Sequence, residues 1–237
     1  MVALYEQILL FGDSITQASG ESDGFGFAAP LQQAYARRLD VVNRGFNGYN
    51  TEKALKVLPR LMPAPDHAKV RLMTVFFGAN DACVPGGSSK QHVCLEAYTQ
   101  NLRAICMHEC VKAHSPALII VTPPPVNERK MEPVDILKGH NGLQRTAANT
   151  KKYADAARKV GEDLKIPVLD LHTIFMQRSP EELEDFMYDG LHLTPQAYKI
   201  VVDELMSLIA SAYPDQLPDK IPFVLPAWND EEGWSRF

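Results

Sequence analysis

The chain alternates between short apolar runs and longer segments in which apolar residues recur at helical spacing. The apolar runs are residues 8–11, 41–42, 70–77, 117–121 and 168–169. Most of these runs are continuous in apolar residues, which is typical of strands that are covered on both faces. We therefore predict five buried strands, and parallel pairing is the arrangement in which both faces of a sheet are covered by helices.

The segments between and after these runs have the periodicity of amphipathic helices. The predicted helices lie at about residues 25–38, 51–61, 93–113, 143–164 and 195–212. Residues 127–142, which follow three consecutive prolines, are predicted to form a long loop. The regular alternation of strand and helix predicts an α/β fold of three layers, with helices on both faces of a five-stranded parallel sheet.

The charge and hydropathy of the chain argue against several classes of protein. The 237 residues include 24 Lys and Arg against 29 Asp and Glu, which gives a formal net charge of −5. A nucleic-acid binder needs a basic face, so this mild acidity argues against nucleic acid as a partner. No apolar run approaches the roughly 20 residues that span a bilayer, and residues 1–11 lack the basic flank of a signal peptide. We therefore expect a cytoplasmic protein with no membrane span.

The cysteines raise the question of a metal site. The four are Cys83, Cys94, Cys106 and Cys110, and the last two continue with His114 at a spacing of four residues, which would place all three on one helix face. A metal would need a fourth ligand and a polar setting for ionised thiols. Small thiols on the buried side of a helix explain the same spacing more simply. We expect buried free thiols in a reducing compartment.

The composition changes after the last predicted helix, which begins with Thr194 as its cap and Pro195 in its first turn. Residues 1–212 are predicted to form one domain, and residues 213–237 a C-terminal extension whose four prolines disfavour helix. Its large aromatic residues are Phe223, Trp228, Trp234 and Phe237. Because so much aromatic surface is unfavourable in water, we expect the extension to pack on the domain or on a partner subunit in a homodimer. There it would close over its own or a neighbouring pocket.

Four polar motifs stand where predicted strands end or where the last helix begins. Ser14 follows the first strand within a Gly-Asp-Ser triplet, and Gly48 lies in a Gly/Asn-rich stretch after the second strand. Asn80 follows the third strand, and Asp189 and His192 lie three residues apart just before the last helix. Each motif taken alone is equally typical of an ordinary turn. Because ligands bind at the carboxyl ends of strands in open parallel sheets, we expect the four motifs to meet there.

In this order the four motifs resemble those of the SGNH (GDSL-type) hydrolases, and nearly the whole chain is similar to the isoamyl acetate-hydrolysing esterase branch of that family. The resemblance implies a flavodoxin-like architecture and a serine esterase that needs no metal or organic cofactor. It places the nucleophile at Ser14, the general base at His192 and the acid that orients this base at Asp189. It also implies an oxyanion hole formed by the backbone N–H groups of Ser14 and Gly48 and the side-chain amide of Asn80.

Elementary chemistry is consistent with these implied roles. A serine hydroxyl is a weak nucleophile until a neighbouring base takes its proton, and imidazole is the side chain that titrates closest to neutral pH. His140 and His172 also have an acid nearby in the sequence, namely Asp135 and Asp170. His192 is the preferred base, both for its adjacent Asp189 and by resemblance.

Loops at the strand ends are expected to form the walls of a substrate pocket. The predicted wall residues are Phe46, Tyr49, Val84, Pro124 and Val126. A small ester needs an apolar slot beside a few polar groups, so the expected substrate is a short-chain, acetate-type ester. Alternative substrates for the same machinery are acetylated carbohydrates, thioesters and lysophospholipids. A non-catalytic binding protein on this fold is the alternative from a different class.

Overall fold

A computed structural model describes residues 4–18 and 26–236, and these contain a five-stranded parallel sheet. The strands are β1 (Glu6–Gly12), β2 (Leu39–Gly45), β3 (Val70–Phe76), β4 (Ala117–Val121) and β5 (Val168–Leu169). Their order in the sheet is β2-β1-β3-β4-β5, and every pair is parallel. This is the strand order of flavodoxin-like folds, in which the order reverses beside β1. The prediction of a five-stranded parallel sheet is confirmed.

Helices connect the strands and follow the last of them. They are α1 (Ser14–Gln17), α2 (Ala28–Ala34), α3 (Thr51–Leu61), α4 (Leu95–Cys106), α5 (Glu109–Lys112), α6 (Glu128–Leu137), α7 (Ala147–Leu164), α8 (Leu171–Met176), α9 (Pro180–Asp185), α10 (Pro195–Ala212) and α11 (Glu231–Trp234). Two predicted helices, α3 and α10, have the expected bounds. The helix predicted at 25–38 is shorter, since α2 covers only part of that range and residue 25 lies outside the described residues.

The side chains of β1 show how the sheet divides the core into two layers. Ile8 and Leu10 belong to one apolar cluster, and Leu9 and Phe11 belong to the other, because successive side chains of a strand point to opposite faces. The first cluster includes buried residues of α2 and α10, and the second includes residues of α3, α4 and α7. The predicted three-layer arrangement is therefore confirmed.

The single helix predicted at 93–113 is wrong, because the chain breaks into α4 and α5. Between them, the His108 side chain caps α5 by accepting a hydrogen bond from the Cys110 N–H. Cys106 and Cys110 therefore lie on different helices, the first buried and the second half-buried, and Cys94 is exposed. All four thiols are free. His114 is buried, where its ring accepts from the Val70 N–H at 3.1 Å.

The loop predicted at 127–142 is also wrong, since most of it forms α6. Asn127 caps this helix by accepting from the Lys130 N–H at 3.1 Å. Pro133 lies inside the helix, where its missing N–H removes one intrahelical hydrogen bond. Only Met131 and Asp135 of α6 are buried, so the sequence of this helix carries almost no apolar periodicity.

The C-terminal extension, described as far as residue 236, packs at the edge of the sheet where the strands begin. Tyr213 Oη donates to the Leu118 carbonyl near the start of β4, and Arg71 Nε near the start of β3 donates to Gln216. Ile221 is buried in the first core cluster. Because Ser14 follows the opposite end of β1, the extension does not cover the chain's own Ser14. Association through a neighbouring subunit stays a prediction.

Two further facts concern the described helices and the extension. Among the described residues, none of the helices has the length and apolarity needed to cross a bilayer. The Phe223 ring lies under the Arg38 guanidinium at 4.0 Å from its centroid, whereas Trp228 is 90% exposed. Contact with the domain therefore accounts for only part of the aromatic surface that the composition predicted would be covered.

Candidate active site

Ser14 is held at the carboxyl end of β1 by a tight turn. A Cβ at Gly12 would lie 2.7 Å from the Phe76 carbonyl oxygen, so the close approach of the two strands requires glycine there. Asp13 then caps α1 through its Oδ1, which accepts from the Ile15 N–H at 2.9 Å. Ser14 follows as the first residue of α1, with 9% of its surface exposed. The turn thus presents one hydroxyl at the edge of the sheet.

His192 and Asp189 meet Ser14 from a loop that lies just before α10. His192 Nε2 is 2.9 Å from Ser14 Oγ, and His192 Nδ1 is 2.7 Å from Asp189 Oδ2. Gly190 allows the loop to turn with a φ of 87°, and its carbonyl accepts from the Asn127 N–H at the start of α6. Two segments that are far apart in sequence are thereby joined in one chain of hydrogen bonds.

The His192 ring and the backbone N–H groups of the same loop together keep Asp189 ionised. Burial alone would raise its pKa, but hydrogen bonds from the His192 ring and from the His192 and Leu191 N–H groups outweigh burial and hold the pKa at about 2. The carboxylate is therefore ionised at neutral pH and accepts the proton on Nδ1. This leaves Nε2 of a neutral imidazole as a hydrogen-bond acceptor that faces the Ser14 hydroxyl.

Gly48 and Asn80 come from the strands on either side of β1. Gly48 lies after β2 with a φ of 74°, and Asn80 lies after β3 with 2% of its surface exposed. The Asn80 amide is held at both ends: Nδ2 donates to the Tyr49 carbonyl at 2.8 Å, and Oδ1 accepts from Arg145 Nη2 at 2.7 Å. Three neighbouring strand ends therefore supply Ser14, Gly48 and Asn80.

Arg145 and Gln91 are contacts of this site that sequence reasoning missed. Arg145 precedes the capping residue of α7, and it reaches across the sheet edge to the Ala79 carbonyl as well as to Asn80 and Gln91. Gln91 in turn donates from Nε2 to the Gly48 carbonyl at 3.2 Å. Local sequence carries no signal for either residue, because both lie in irregular segments, Gln91 between β3 and α4 and Arg145 between α6 and α7.

A cavity of about 250 Å³ opens beside Ser14. Its described lining is Ser14, Asn47, Asn80, Gln91, Asp135, Lys138, His140, Arg145, Leu191 and His192. This lining is mostly polar, which differs from the apolar slot that the sequence predicted. The charged side chains come largely from α6 and the residues after it, a region for which the sequence predicts a long loop.

The five predicted wall residues are not part of this described lining. Phe46 and Tyr49 stack on each other with ring centroids 5.0 Å apart, and both pack against the second core cluster. Val126 and Pro124 are buried, Val126 in the first core cluster, and Val84 is half-buried. Apolar residues near strand ends are drawn into the core in this fold, which leaves the cavity to polar groups.

Two buried aspartates lie behind the site. Burial raises the pKa of Asp13 to about 7 and that of Asp81 to about 6. For Asp81, hydrogen bonds from the Thr51 hydroxyl and N–H oppose the effect of burial. Within the described part of the chain, the Oδ2 atom of each aspartate is buried without a hydrogen-bond partner. Burial thus disfavours the ionised form of Asp13, in contrast to Asp189.

The other histidines with a nearby acid occupy different settings. His172 is buried in α8, and burial lowers its pKa. The neighbouring Asp170 is instead hydrogen-bonded to Arg158. His140 lines the cavity, and its Nδ1 lies 2.9 Å from Ser88 Oγ. His192 is the histidine that the structure brings to Ser14.

Residues 10–200 match the model of the GDSL-like lipase/acylhydrolase family. The chain is 38% identical to the isoamyl acetate-hydrolyzing esterase 1 homolog of Mus musculus, with coverage of 97% of this chain and 89% of that protein. It is 34% identical to the isoamyl acetate-hydrolyzing esterase of Saccharomyces cerevisiae, with coverage of 95% of both chains. A lipase/acylhydrolase structure from Enterococcus faecalis has a TM-score of 0.66 at 24% identity, covers 87% of this chain and 96% of its own, and shows a common fold.

Proposed function

The chain belongs to the GDSL-like lipase/acylhydrolase family and is a carboxylic ester hydrolase, and we propose that it cleaves short-chain, acetate-type esters by acyl transfer to Ser14. The observation that carries this proposal is the continuous path of hydrogen bonds from Ser14 Oγ through His192 to the ionised Asp189. Relatives named for isoamyl acetate hydrolysis over nearly the full chain support the choice of acetate-type esters.

The first half of the proposed reaction forms an acyl-enzyme. Ser14 Oγ attacks the ester carbonyl carbon while its proton passes to His192 Nε2. Asp189 stays ionised and stabilises the imidazolium that results. When the tetrahedral intermediate collapses, the bond to the alcohol oxygen breaks, and His192 returns the proton to this leaving oxygen. The alcohol departs and the acyl group remains on Ser14.

The second half repeats these steps with water. His192 takes a proton from a water molecule whose oxygen attacks the acyl carbon, and then returns that proton to Ser14 Oγ as the bond to the acyl group breaks. The products are the carboxylic acid and the free enzyme. Each half passes through one tetrahedral oxyanion, so donors that stabilise this oxyanion accelerate both halves.

We assign the oxyanion hole to the Ser14 and Gly48 backbone N–H groups and the Asn80 side chain. Asn80 supports this role because one hydrogen of Nδ2 is used by Tyr49, and among the described residues the other has no acceptor. Asn80 also lines the cavity beside Ser14. Replacing Asn80 by Ala should lower kcat by roughly 100- to 1,000-fold, the usual loss for one oxyanion donor.

Acetyl esters of carbohydrates are a second candidate for the substrate, because the lining of the cavity is mostly polar. Hydroxyl-rich alcohols would find hydrogen-bond partners there, whereas the alcohol of isoamyl acetate would not. Hydrolysis rates for isoamyl acetate, for acetylated sugars and for a series of acyl chain lengths would separate the two. A preference for the sugar esters by more than tenfold in kcat/KM would shift the assignment to carbohydrate.

Replacement of Ser14 tests the proposal directly. Ser14→Ala should lower kcat on the order of a million-fold, since the nucleophile is removed. The matched control is Ser211→Ala, because Ser211 lies exposed in α10 and its hydroxyl donates to the Leu208 carbonyl of the same helix. A fluorophosphonate probe should label the wild-type protein and Ser211→Ala at Ser14 and leave Ser14→Ala unlabelled. Near-native esterase activity in Ser14→Ala would refute the mechanism.

A further inference from the structure

Arg145 is a buried cation whose hydrogen bonds, among the described residues, go to neutral oxygens. It is 6% exposed, and it donates to the Ala79 carbonyl and to the side-chain oxygens of Asn80 and Gln91. The carboxyl group of Asp13 is close enough for its pKa to be lowered by the charge of Arg145, but no carboxylate among the described residues accepts a hydrogen bond from the guanidinium. Burying a guanidinium without a hydrogen-bonded carboxylate is costly, and a purely structural contact is made more cheaply by a neutral side chain. The placement of this charge beside the cavity therefore calls for an explanation in terms of the site.

The guanidinium determines which end of the Asn80 amide faces the cavity. Arg145 Nε donates to the Ala79 carbonyl at 2.7 Å and Nη2 donates to Asn80 Oδ1 at 2.7 Å, so the backbone and the side chain are held together. Because guanidinium has donors and no acceptor, it can face only the oxygen of the amide. Nδ2 is thereby turned to the other side, where it reaches the Tyr49 carbonyl and the cavity.

The same guanidinium reaches the Gly48 turn through Gln91. Arg145 Nη2 donates to Gln91 Oε1 at 3.0 Å, which turns Nε2 of Gln91 toward the Gly48 carbonyl at 3.2 Å. The backbone carbonyl of Gln91 accepts from Asn50 Nδ2 at 2.9 Å, so both the backbone and the side chain of Gln91 are held in place. One side chain is thus linked to both donors of the assigned oxyanion hole that lie outside the Gly-Asp-Ser turn.

We infer that Arg145 is a positioning residue that holds Asn80 and the Gly48 turn as one unit and polarises the Asn80 amide toward the oxyanion. This inference rests on the proposed function. A hydrogen bond from a cation to Oδ1 strengthens the N–H groups of the same amide as donors. The positive charge also favours the negative charge that forms on the substrate oxygen. Both effects grow as the oxyanion forms, so they act on kcat more than on KM.

A double-mutant cycle distinguishes this role from simple support of the fold. We expect Arg145→Met to lower kcat by about 100-fold, close to the loss of one oxyanion donor, with KM within about threefold of wild type. If Arg145 acts through Asn80, then Arg145→Met should cost much less when Asn80→Ala is already present. If Arg145 only supports the fold, the fold-losses of kcat in Arg145→Met and Asn80→Ala should multiply in the double variant.

Control variants keep the test informative when stability changes. Arg158→Met removes an arginine that bonds to Asp155 and Asp170 away from the cavity, so it should leave kcat unchanged. Gln91→Met removes the arm to Gly48 together with the weak contact of Gln91 Oε1 with Cys83 Sγ at 3.7 Å, and it should lower kcat by about tenfold. This variant tests the same unit if Arg145→Met does not fold. The rate of fluorophosphonate labelling at Ser14 should fall in parallel with kcat, since the phosphonyl oxygen occupies the same hole.

The outcomes separate this inference from the function on which it rests. A wild-type protein that neither hydrolyses short esters nor is labelled at Ser14 would overturn both. An active wild type together with unchanged kcat in folded Arg145→Met, or with effects of Arg145→Met and Asn80→Ala that multiply fully, would overturn the role of Arg145 alone. Unchanged kcat in Gln91→Met would remove the link to Gly48 from the inference.

Discussion

Two aspartates of one site show how hydrogen bonds and burial compete at a single residue. Asp13 is fully buried and accepts one backbone hydrogen bond, so burial dominates and its pKa rises to about 7. Asp189 is less buried and accepts from two N–H groups and the His192 ring, so its pKa falls to about 2. The two carboxyl groups therefore differ in pKa because burial dominates at Asp13 and hydrogen bonds dominate at Asp189.

Asp189→Asn should lower kcat by up to about 10⁴-fold while Ser14 stays in place. The NH₂ group that replaces Oδ2 can donate a hydrogen bond to Nδ1 of His192. The ring proton would then lie on Nε2, so Nε2 could not accept a hydrogen bond from the Ser14 hydroxyl. Asp203→Asn is the control, because Asp203 lies exposed on α10 and forms an ion pair with Lys199 of the same helix. Steady-state kinetics on a short acetate ester give the measurement, and activity within tenfold of wild type would argue against the tautomer role.

Asp13→Asn should raise stability more at pH 8 than at pH 4. Between about pH 4 and pH 7 the folded chain retains a proton at Asp13 that the unfolded chain has released, so the stabilising contribution present below pH 4 is lost as pH rises. The effect is about 1.4 kcal/mol per unit of pKa difference. Asn keeps the acceptor for the Ile15 N–H and never ionises. Thermal unfolding of both proteins across this pH range gives the comparison.

The control for this pH dependence is again Asp203→Asn, which changes an exposed carboxyl. The difference in Tm between this control and wild type should stay nearly constant from pH 4 to pH 8. If the Tm difference of Asp13→Asn were equally constant, the raised pKa of Asp13 would be refuted.

The site residues that lie in short local motifs could be predicted from the sequence, whereas those whose contacts are distant in the sequence could not. Ser14, Asn80 and His192 stand in short motifs at strand ends, and the topology of a parallel sheet brings such ends together. Arg145 has no such motif, because its partners lie more than fifty residues away along the chain. The predicted wall residues do not line the described cavity beside Ser14, because apolar character near a strand end does not distinguish a pocket from the core.

At the scale of elements, the success of sequence reasoning follows the burial of each face. The strands carry continuous apolar residues because both faces of the sheet are covered, and α10 carries periodic ones because one of its faces packs on the sheet. The predicted bounds of these elements agree with the structure within three residues at either end. Helix α6 lies over the site with Met131 and Asp135 as its only buried residues, so its pattern reads as a loop. Functional elements at a sheet edge are thus the ones that patterns describe least well.

The end of α7 offers a test of helix termination. Lys165 has a left-handed backbone with a φ of 56°, and it is exposed. Glycine adopts this conformation without steric cost, so Lys165→Gly should stabilise the protein by about 0.5–1 kcal/mol. Lys152→Gly, inside the same helix, should instead destabilise it by about 1 kcal/mol. Equilibrium urea unfolding measures both, and a loss of stability in Lys165→Gly would contradict the conformational argument.

At the scale of the whole molecule, the two ends of the parallel strands have different roles. The carboxyl ends of the strands hold the candidate site, and the amino ends bind the C-terminal extension. The seven residues of β1 separate these ends by about 20 Å. Loss of the extension should therefore affect stability more than chemistry.

Truncation after Tyr213 should lower the free energy of unfolding by about 1.5–3 kcal/mol from the burial of Ile221 alone. The kcat of the folded fraction at low temperature should stay within about twofold of wild type. Truncation after Ala227 is the matched control, since it keeps Ile221 and the Val224 N–H bond to the Arg37 carbonyl. Sedimentation of both forms tests the predicted homodimer, and a large loss of kcat in the first truncation would show that the extension reaches a site.

The distribution of tryptophan has a practical consequence for such experiments. The chain has two tryptophans, Trp228 and Trp234, and both lie in the C-terminal extension, the first 90% exposed and the second 46% exposed. Intrinsic tryptophan fluorescence therefore reports on this segment and its release, whereas far-ultraviolet circular dichroism follows the helices that cover the sheet. If the extension detaches before the domain unfolds, the fluorescence transition will precede the dichroism transition, and the gap between the two midpoints will measure how tightly the segment is held.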